Sequence, residues 1–137
     1  MVREIIHEPF ILRMASEKAD ASDLETAADM YDTLVHNRET CVGMAANMIG
    51  VRRRIIIFDD NGKIVTMFNP EIIKAEHPYE TKEGCLSLLG GPRPVTRYKN
   101  IKVRWQNERF QDRIKNFSGY TAQIIQHEVD HINGVLI

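Results

Sequence analysis

The chain has 137 residues, 43% hydrophobic and 27% charged, so it is long enough to bury a core but short for two domains. Its 18 basic and 19 acidic residues nearly cancel, which excludes a strong overall field that would attract nucleic acid or an anionic membrane. No apolar run approaches the roughly 18 residues of a membrane span. We therefore expect a single domain over residues 1–137 that binds neither nucleic acid directly nor membranes.

The cysteine content indicates a reducing compartment. Only Cys41 and Cys85 are present, which allows at most one disulfide. The N-terminal segment MVREIIHEPF lacks the cationic and long apolar regions of a secretory signal. Free thiols and a cytoplasmic location are therefore expected.

The first predicted helix covers residues 22–38 (SDLETAADMYDTLVHNR). Ser22 and Glu25 have the spacing of a capping box at its start. A 3.6-residue period places six side chains on one apolar face, namely Leu24, Ala27, Ala28, Tyr31, Leu34 and Val35.

Runs rich in β-formers follow this helix. Residues 54–58 (RIIIF) and 63–68 (KIVTMF) flank the turn sequence DDNG and predict a hairpin. Further strands are expected at 71–76, 101–105 and 109–117. An irregular loop is predicted around Gly90, Gly91, Pro92 and Pro94.

The last predicted helix runs from about Tyr120 to Ile132 and carries two stripes. One stripe carries Tyr120, Ile124, His127 and His131, with Glu128 at its edge. The other is apolar and can seat the helix on a sheet: Ile125, Val129 and Ile132. We expect an α+β fold, in which a mostly antiparallel β-sheet packs around this C-terminal metal-binding helix, with an N-terminal amphipathic helix.

The segment His127-Glu128-Val129-Asp130-His131 has the H-E-x-x-H pattern on a predicted helix. Imidazoles four residues apart project from one face and can share a metal ion. The glutamate between them can accept a proton from water that the cation activates. The alternative is a helix that carries two unrelated histidines.

Two histidines need a third protein ligand to hold a catalytic metal. In the extended pattern H-E-x-x-H-x-x-G-x-x-H the last position is Ile137, so the third ligand is expected upstream. Cys85 is favoured because it follows Gly84, where the backbone can approach a ligand closely. The other candidates remain open: Cys41, the carboxylates, and the histidines at positions 7, 36 and 77. We expect Cys41 in the core, and we expect His7, His36 and His77 at the surface.

Three segments occur in order along the chain, at residues 41–48 (CVGMAANM), 83–87 (EGCLS) and 126–131 (QHEVDH), and together they resemble the peptide deformylase family. The residues 41–48 (CVGMAANM) are similar to its G-x-G-Φ-A-A-x-Q segment. The residues 83–87 (EGCLS) match its E-G-C-L-S segment, and 126–131 (QHEVDH) match its Q-H-E-x-D-H segment. The resemblance extends over nearly the whole chain, including Phe68-Asn69-Pro70.

The resemblance implies the ligands, the metal and the substrate. Cys85, His127 and His131 would hold one divalent ion, in the first place Fe²⁺, with Zn²⁺, Ni²⁺ or Co²⁺ accommodated. Glu128 would take up and release the proton of the reaction. The substrate would be the formyl group on the N-terminal methionine of new polypeptides, which is removed by hydrolysis. A transient contact with the ribosome is also implied.

The family's pattern further assigns an oxyanion donor and a peptide site. The backbone N–H of Leu86 would be one donor to the oxyanion, and the glutamine of the first segment a second. The peptide is expected to contact five residues: Val42, Gly43, Gly84, Tyr120 and Ile124. For Tyr120 and Ile124, a plain core position is the alternative.

The first segment departs from the family at Cys41, which replaces a glycine, and at Met48, which replaces the glutamine. A thioether cannot donate a hydrogen bond, and loss of one oxyanion donor typically costs about 100- to 1,000-fold in turnover. Asn47 is one residue out of position, so we expect its side chain on the opposite face. Reduced activity is therefore expected, and the alternatives are a weak or inactive deformylase-like paralogue that binds metal and peptide, or another metal-dependent amidase or protease.

Overall fold

The computed structural model describes residues 1–85 and 88–136, without the side chains of residues 88–90. Five strands form one antiparallel sheet whose spatial order follows the chain. The strands are β1 (Gly43–Ala45), β2 (Ile55–Asp60), β3 (Lys63–Cys85), β4 (Leu88–Gln106) and β5 (Asp112–Ser118). The helices are α1 (Pro9–Leu12), α2 (Leu24–His36) and α3 (Gly119–Ile132), with 3₁₀ turns at Ala21–Asp23 and Ala46–Ile49.

The predicted hairpin and the predicted C-terminal helix are confirmed, and the core lies between them. β2 and β3 meet at Asn61 and Gly62, both in the left-handed region with φ of 52° and 96°, as a tight two-residue turn requires. The apolar run of β2 is fully buried, because α2 and α3 both pack against it. On α3, Ile125 and Ile132 are fully buried and seat the helix on the sheet.

Two predicted strands, at 63–68 and 71–76, belong to one long strand, β3. Its pairing with β4 shifts register between Phe68 and Glu71, and Asn69 lies there at φ 53° before Pro70. This irregularity bends the strand without ending it. Beyond Phe68, β3 pairs with β4 alone in the described part of the chain, so its second edge is unpaired.

The loop predicted around residues 90–94 is wrong in part, because these residues belong to β4 and residues 93 and 94 pair with the end of β3. The register shifts between Glu83 and Cys85, and residues 90–92 have no partner in the described pairing. Pro94 lies opposite Lys82. β5 pairs only with residues 100–106 of β4, so the earlier part of β4 is an edge strand. Proline is tolerated there because no neighbouring strand needs its missing N–H.

The first helix begins later than predicted, and its buried face shares only Ala27 and Leu34 with the predicted one. Its capping box is formed by Asp20 and Asp23 around the 3₁₀ turn, instead of by Ser22 and Glu25. Three members of the predicted apolar face are exposed by 40–48%, namely Leu24, Tyr31 and Val35. The buried face carries Ala27, Met30 and Leu34 together with Asp29 and Thr33. Asp29 and Thr33 are buried because Arg3 near the N-terminus hydrogen-bonds to both of them.

No described helix combines the length and the apolar character that crossing a bilayer would require.

Candidate functional site

The three predicted metal ligands meet where the end of β3 faces α3. The Nε2 atoms of His127 and His131 lie 3.0 Å apart, and Cys85 Sγ lies 3.3 Å from His131 Nε2. All three ligand atoms fall within 4.8 Å of one another. The helix brings the two imidazoles together because they are four residues apart on one face.

This donor set fits a divalent cation. Two ring nitrogens and a sulfur face each other at the base of a cleft, and such atoms repel unless a proton or a metal ion lies between them. A tetrahedral ion with ligand bonds of about 2.0–2.1 Å holds two nitrogens roughly 3.3 Å apart, close to the observed separation. Burial lowers the pKa of His131 to about 3, which keeps its imidazole in the neutral form that binds metals.

Glu83 orients the first of the two imidazoles. Its carboxylate lies 2.8 Å from His127 Nδ1, which directs Nε2 of the same ring toward Cys85 and His131. Burial by itself would raise the pKa of Glu83, but hydrogen bonds from His127, Arg97 and Gln123 outweigh it and lower the pKa to about 2. Glu83 is therefore a stable anion behind the ligand.

Arg97 of β4 joins Glu83 to α3. Its guanidinium, only 4% exposed, donates to both carboxylate oxygens of Glu83 and to Asp130 at 2.6 Å. A buried guanidinium between two carboxylates keeps all three charges paired. This network fixes the helix against β3 and β4 at the level of the ligands.

Glu128 lies beside the ligands without a hydrogen bond to Oε1 among the described residues. It is 4% exposed, and burial raises its pKa to about 7. A carboxyl group that titrates near neutral pH can both accept and release a proton. The geometry therefore gives Glu128 the properties of a general acid and base.

Gly43 on β1 leaves the space that Glu128 occupies. A Cβ at this position would lie 2.7 Å from Ile124 Cγ2 and 2.8 Å from Glu128 Oε2, closer than atoms pack. β1 therefore approaches α3 at a distance that only glycine allows.

A cavity of about 620 Å³ opens onto these groups. Its lining includes all five residues predicted to contact a peptide: Val42, Gly43, Gly84, Tyr120 and Ile124. Tyr120 is 65% exposed, so it is not a core residue, whereas Ile124 is 6% exposed. Leu86, predicted as an oxyanion donor, lies outside the described residues.

The two departures in the first segment also reach the cavity. Met48 lines it from a buried position, and its sulfur accepts from the N–H of Ala45 at 3.4 Å. Cys41 lines it too and is half-buried, so it packs against the core and is not inside it as expected. It lies outside the ligand cluster, and its thiol donates to the carbonyl of Gly43 at 2.9 Å.

Asn47 points away from the cavity, as predicted, but for a different reason. It belongs to the 3₁₀ turn Ala46–Ile49 and not to an extended segment. Its side chain is fully buried and donates to the carbonyl of His131 at 2.8 Å.

Sequence reasoning missed the residues that hold the ligands in place. Arg97 is one of several basic residues in β4, and no neighbouring residue in the sequence indicates that it is buried. Gln126 belongs to the motif without a predicted role, yet its amide pairs with the main chain of Tyr98 through both its oxygen and its nitrogen, at 2.9 Å each. The position of Gln126 directly before His127 was the available signal.

Comparison with known proteins gives one consistent result. The profile of the polypeptide deformylase family matches residues 3–137. A peptide deformylase of Clostridium beijerinckii is 47% identical over 137 residues, which covers 100% of both chains. A peptide deformylase of Aquifex aeolicus is 36% identical and is covered to 85%, against 98% of this chain.

Solved structures agree with the sequence comparison. The crystal structure of peptide deformylase from Thermotoga maritima matches with a TM-score of 0.89 at 32% identity, over 99% of this chain and 95% of that one. The Met-Ala-Ser bound structure of a class I type b peptide deformylase from Acinetobacter baumannii matches with a TM-score of 0.90 at 28% identity, over 99% and 97%. Profile, sequence and fold agree over nearly the full length, and the chain therefore belongs to the peptide deformylase family.

Proposed function

We propose that Cys85, His127 and His131 hold the divalent ion with which this chain, as a peptide deformylase, removes the formyl group from the N-terminal methionine of new polypeptides. The assignment of these residues is carried by the convergence of one sulfur and two ring nitrogens within 4.8 Å, beside the buried carboxylate whose Oε1 has no hydrogen-bond partner among the described residues. The comparisons support the enzyme, and none of them favours a paralogue that only binds metal and peptide.

When bound, the cation supplies Lewis acidity, which polarises the formyl oxygen and makes water nucleophilic near neutral pH. Glu128 takes a proton from the attacking water and delivers it to the leaving amine. Its burial and its pKa of about 7 suit both steps. The products are formate and a free N-terminus. Glu83 holds the His127 ring during the reaction, and Arg97 holds Glu83.

The peptide is proposed to lie as an added strand between β1 and the end of β3. The carbonyl of Val42 accepts from Asp59 of β2, so alternation turns the main-chain groups of Gly43 away from β2. Residues 82–85 line the other side of the cavity. They belong to the part of β3 that pairs with β4 alone among the described strands, so their second edge is open to a peptide. Pairing on both sides would position the N-terminal residue over Glu128. The Acinetobacter relative binds Met-Ala-Ser, a peptide that begins with methionine.

The methionine side chain is proposed to contact Val42, Tyr120 and Ile124. We also propose Leu86 N–H as an oxyanion donor. Fe²⁺ is the proposed ion, although a Cys/His/His set also accepts Zn²⁺, Ni²⁺ or Co²⁺, and metal analysis of protein purified without oxygen identifies it. Because the substrate emerges from the ribosome, we propose a cytoplasmic location and a transient ribosomal contact.

The proposal is tested with formyl-Met peptides and Fe²⁺ protein prepared without oxygen. Release of formate above the free-metal background supports it. If no loading with Fe²⁺, Zn²⁺, Ni²⁺ or Co²⁺ gives release above that background, the enzymatic assignment is wrong.

Met48→Gln is expected to raise turnover at least about tenfold, because it restores a side-chain donor at the position where the family has one. The site is suitable, since Met48 already lines the cavity. The measurement is kcat on a formyl-Met peptide, with Met48→Leu as the matched control that removes the sulfur without adding a donor. An unchanged rate in Met48→Gln would show that oxyanion support does not limit this enzyme.

Gly43→Ala is expected to lower kcat by about 100-fold, because the new methyl group displaces the Glu128 carboxylate by a fraction of an ångström or more. Gly84→Ala is the comparison, since a Cβ there meets no described atom within 4 Å and leaves Glu128 in place. Its kcat should stay near that of the wild type, whatever happens to KM. Equal kcat values for the two variants would contradict the steric argument.

A further inference from the structure

Asn47 and His131 are joined across the fold although 84 positions separate them in sequence. Asn47 Nδ2 donates to the main-chain carbonyl of His131 at 2.8 Å, and both side chains are fully buried. This hydrogen bond fixes the orientation of the amide, because its oxygen would repel a carbonyl at that distance. The acceptor Oδ1 of Asn47 is thereby held beside the end of α3.

Each residue has one further buried polar atom that lacks a hydrogen-bond partner among the described residues. These atoms are Asn47 Oδ1 and His131 Nδ1. His131 turns Nε2 toward His127 and Cys85, so a cation bound there leaves the ring proton on Nδ1. The two atoms are then a donor and an acceptor, and buried groups of this kind are rarely left unpaired.

We propose that Asn47 is a positioning residue for His131, in which Oδ1 accepts the Nδ1 proton through one buried water molecule. The inference rests on the proposed function, since it assumes that Nε2 binds the cation. A water that bridges two buried polar groups is a regular part of protein interiors. His127 already has an acceptor of this type in Glu83, at 2.8 Å from its Nδ1. Asn47 would complete the corresponding support for the second imidazole.

Two variants separate this role from simple anchoring of the helix. Asn47→Leu removes both the donor to the His131 carbonyl and the acceptor for Nδ1. Asn47→Asp keeps an acceptor of the same length but replaces the amide donor. Binding of Co²⁺ is followed by its d–d absorption, which reports the affinity and the ligand geometry without relying on activity.

Asn47→Leu is expected to weaken Co²⁺ binding about 10- to 100-fold and to change the spectrum. Asn47→Asp loses the anchor, because its second oxygen repels the His131 carbonyl, but it keeps an acceptor for Nδ1. It should therefore bind Co²⁺ more tightly than Asn47→Leu and keep the wild-type spectrum. If Asn47→Leu does not fold, the spectrum of Asn47→Asp still decides, because loss of the anchor alone predicts a changed ligand geometry, and a changed spectrum would then overturn the proposal. The proposal is overturned if Asn47→Asp binds Co²⁺ as weakly as Asn47→Leu, or if folded Asn47→Leu matches the wild type.

Asn69→Asp is the matched control. Asn69 also bridges distant segments, with hydrogen bonds to both main-chain groups of Ala19, but it does not line the cavity. Its substitution should lower stability without changing Co²⁺ affinity, and an equal loss of affinity in this variant would count against the proposal. Wild-type protein that binds no Co²⁺ would instead overturn the metal site itself, which distinguishes the two failures.

Discussion

Glu128→Gln is expected to lower kcat by about 10²- to 10⁴-fold while the protein keeps its metal ion. The amide has the shape of the carboxyl group but cannot take up a proton. Glu128 is buried beside the ligands and belongs to no ion pair among the described residues, so its replacement removes proton transfer without breaking a network. The measurement is single-turnover deformylation together with metal analysis.

Glu108→Gln is the matched control, since Glu108 is exposed in the turn between β4 and β5. It should behave as the wild type. Retention of more than about one-tenth of wild-type kcat in Glu128→Gln would fall outside the range for a general acid and base and would move the proton transfer to another group.

Cys85→Ala is expected to lower metal affinity by at least about 100-fold, since removing even a residue that only supports a ligand costs 10- to 100-fold. Deformylation should fall to the background with it. Two histidines remain within reach of the ion, but their Nε2 atoms alone leave a site with too few protein ligands. The measurement is metal content after equilibrium dialysis, combined with formate release.

Cys41→Ala is the control for this experiment. Cys41 lines the same cavity, but its sulfur is outside the ligand cluster and its thiol donates to Gly43. Burial raises the pKa of Cys41 to about 12, so it stays a neutral thiol. Its replacement should leave the metal content unchanged. A loss of metal in Cys41→Ala and not in Cys85→Ala would exchange the roles of the two cysteines.

Most of the fold could be predicted from local patterns, and the errors have physical causes. The hairpin and α3 follow from turn chemistry and periodicity, which act over a few residues. The prediction of the buried face of α2 was partly wrong because Asp29 and Thr33 are buried through contacts with Arg3, some 30 positions away. The loop predicted around residues 90–94 was partly wrong because Pro94 is compatible with an edge strand, and edge positions depend on the whole sheet.

The metal ligands could be predicted from the sequence better than the residues that hold them in place. The spacing of His127 and His131 predicts their meeting directly, because one helix carries both. Bringing Cys85 to them depends on the pairing of distant segments. Gly84 favoured Cys85 as a ligand, and the resemblance to a family indicated it, but no local pattern predicts that pairing. Arg97 was missed because a buried, paired arginine has the same sequence signature as an exposed one.

The guanidinium between Glu83 and Asp130 also limits how such a site can diverge. A lineage that loses Arg97 alone would leave two carboxylates facing each other in a confined space, one of them against His127. Removing one member of a buried ionic group typically costs about 3–5 kcal/mol, comparable to much of a domain's stability. Neutral drift through single substitutions is therefore blocked, and these three positions should change together among descendants or not at all.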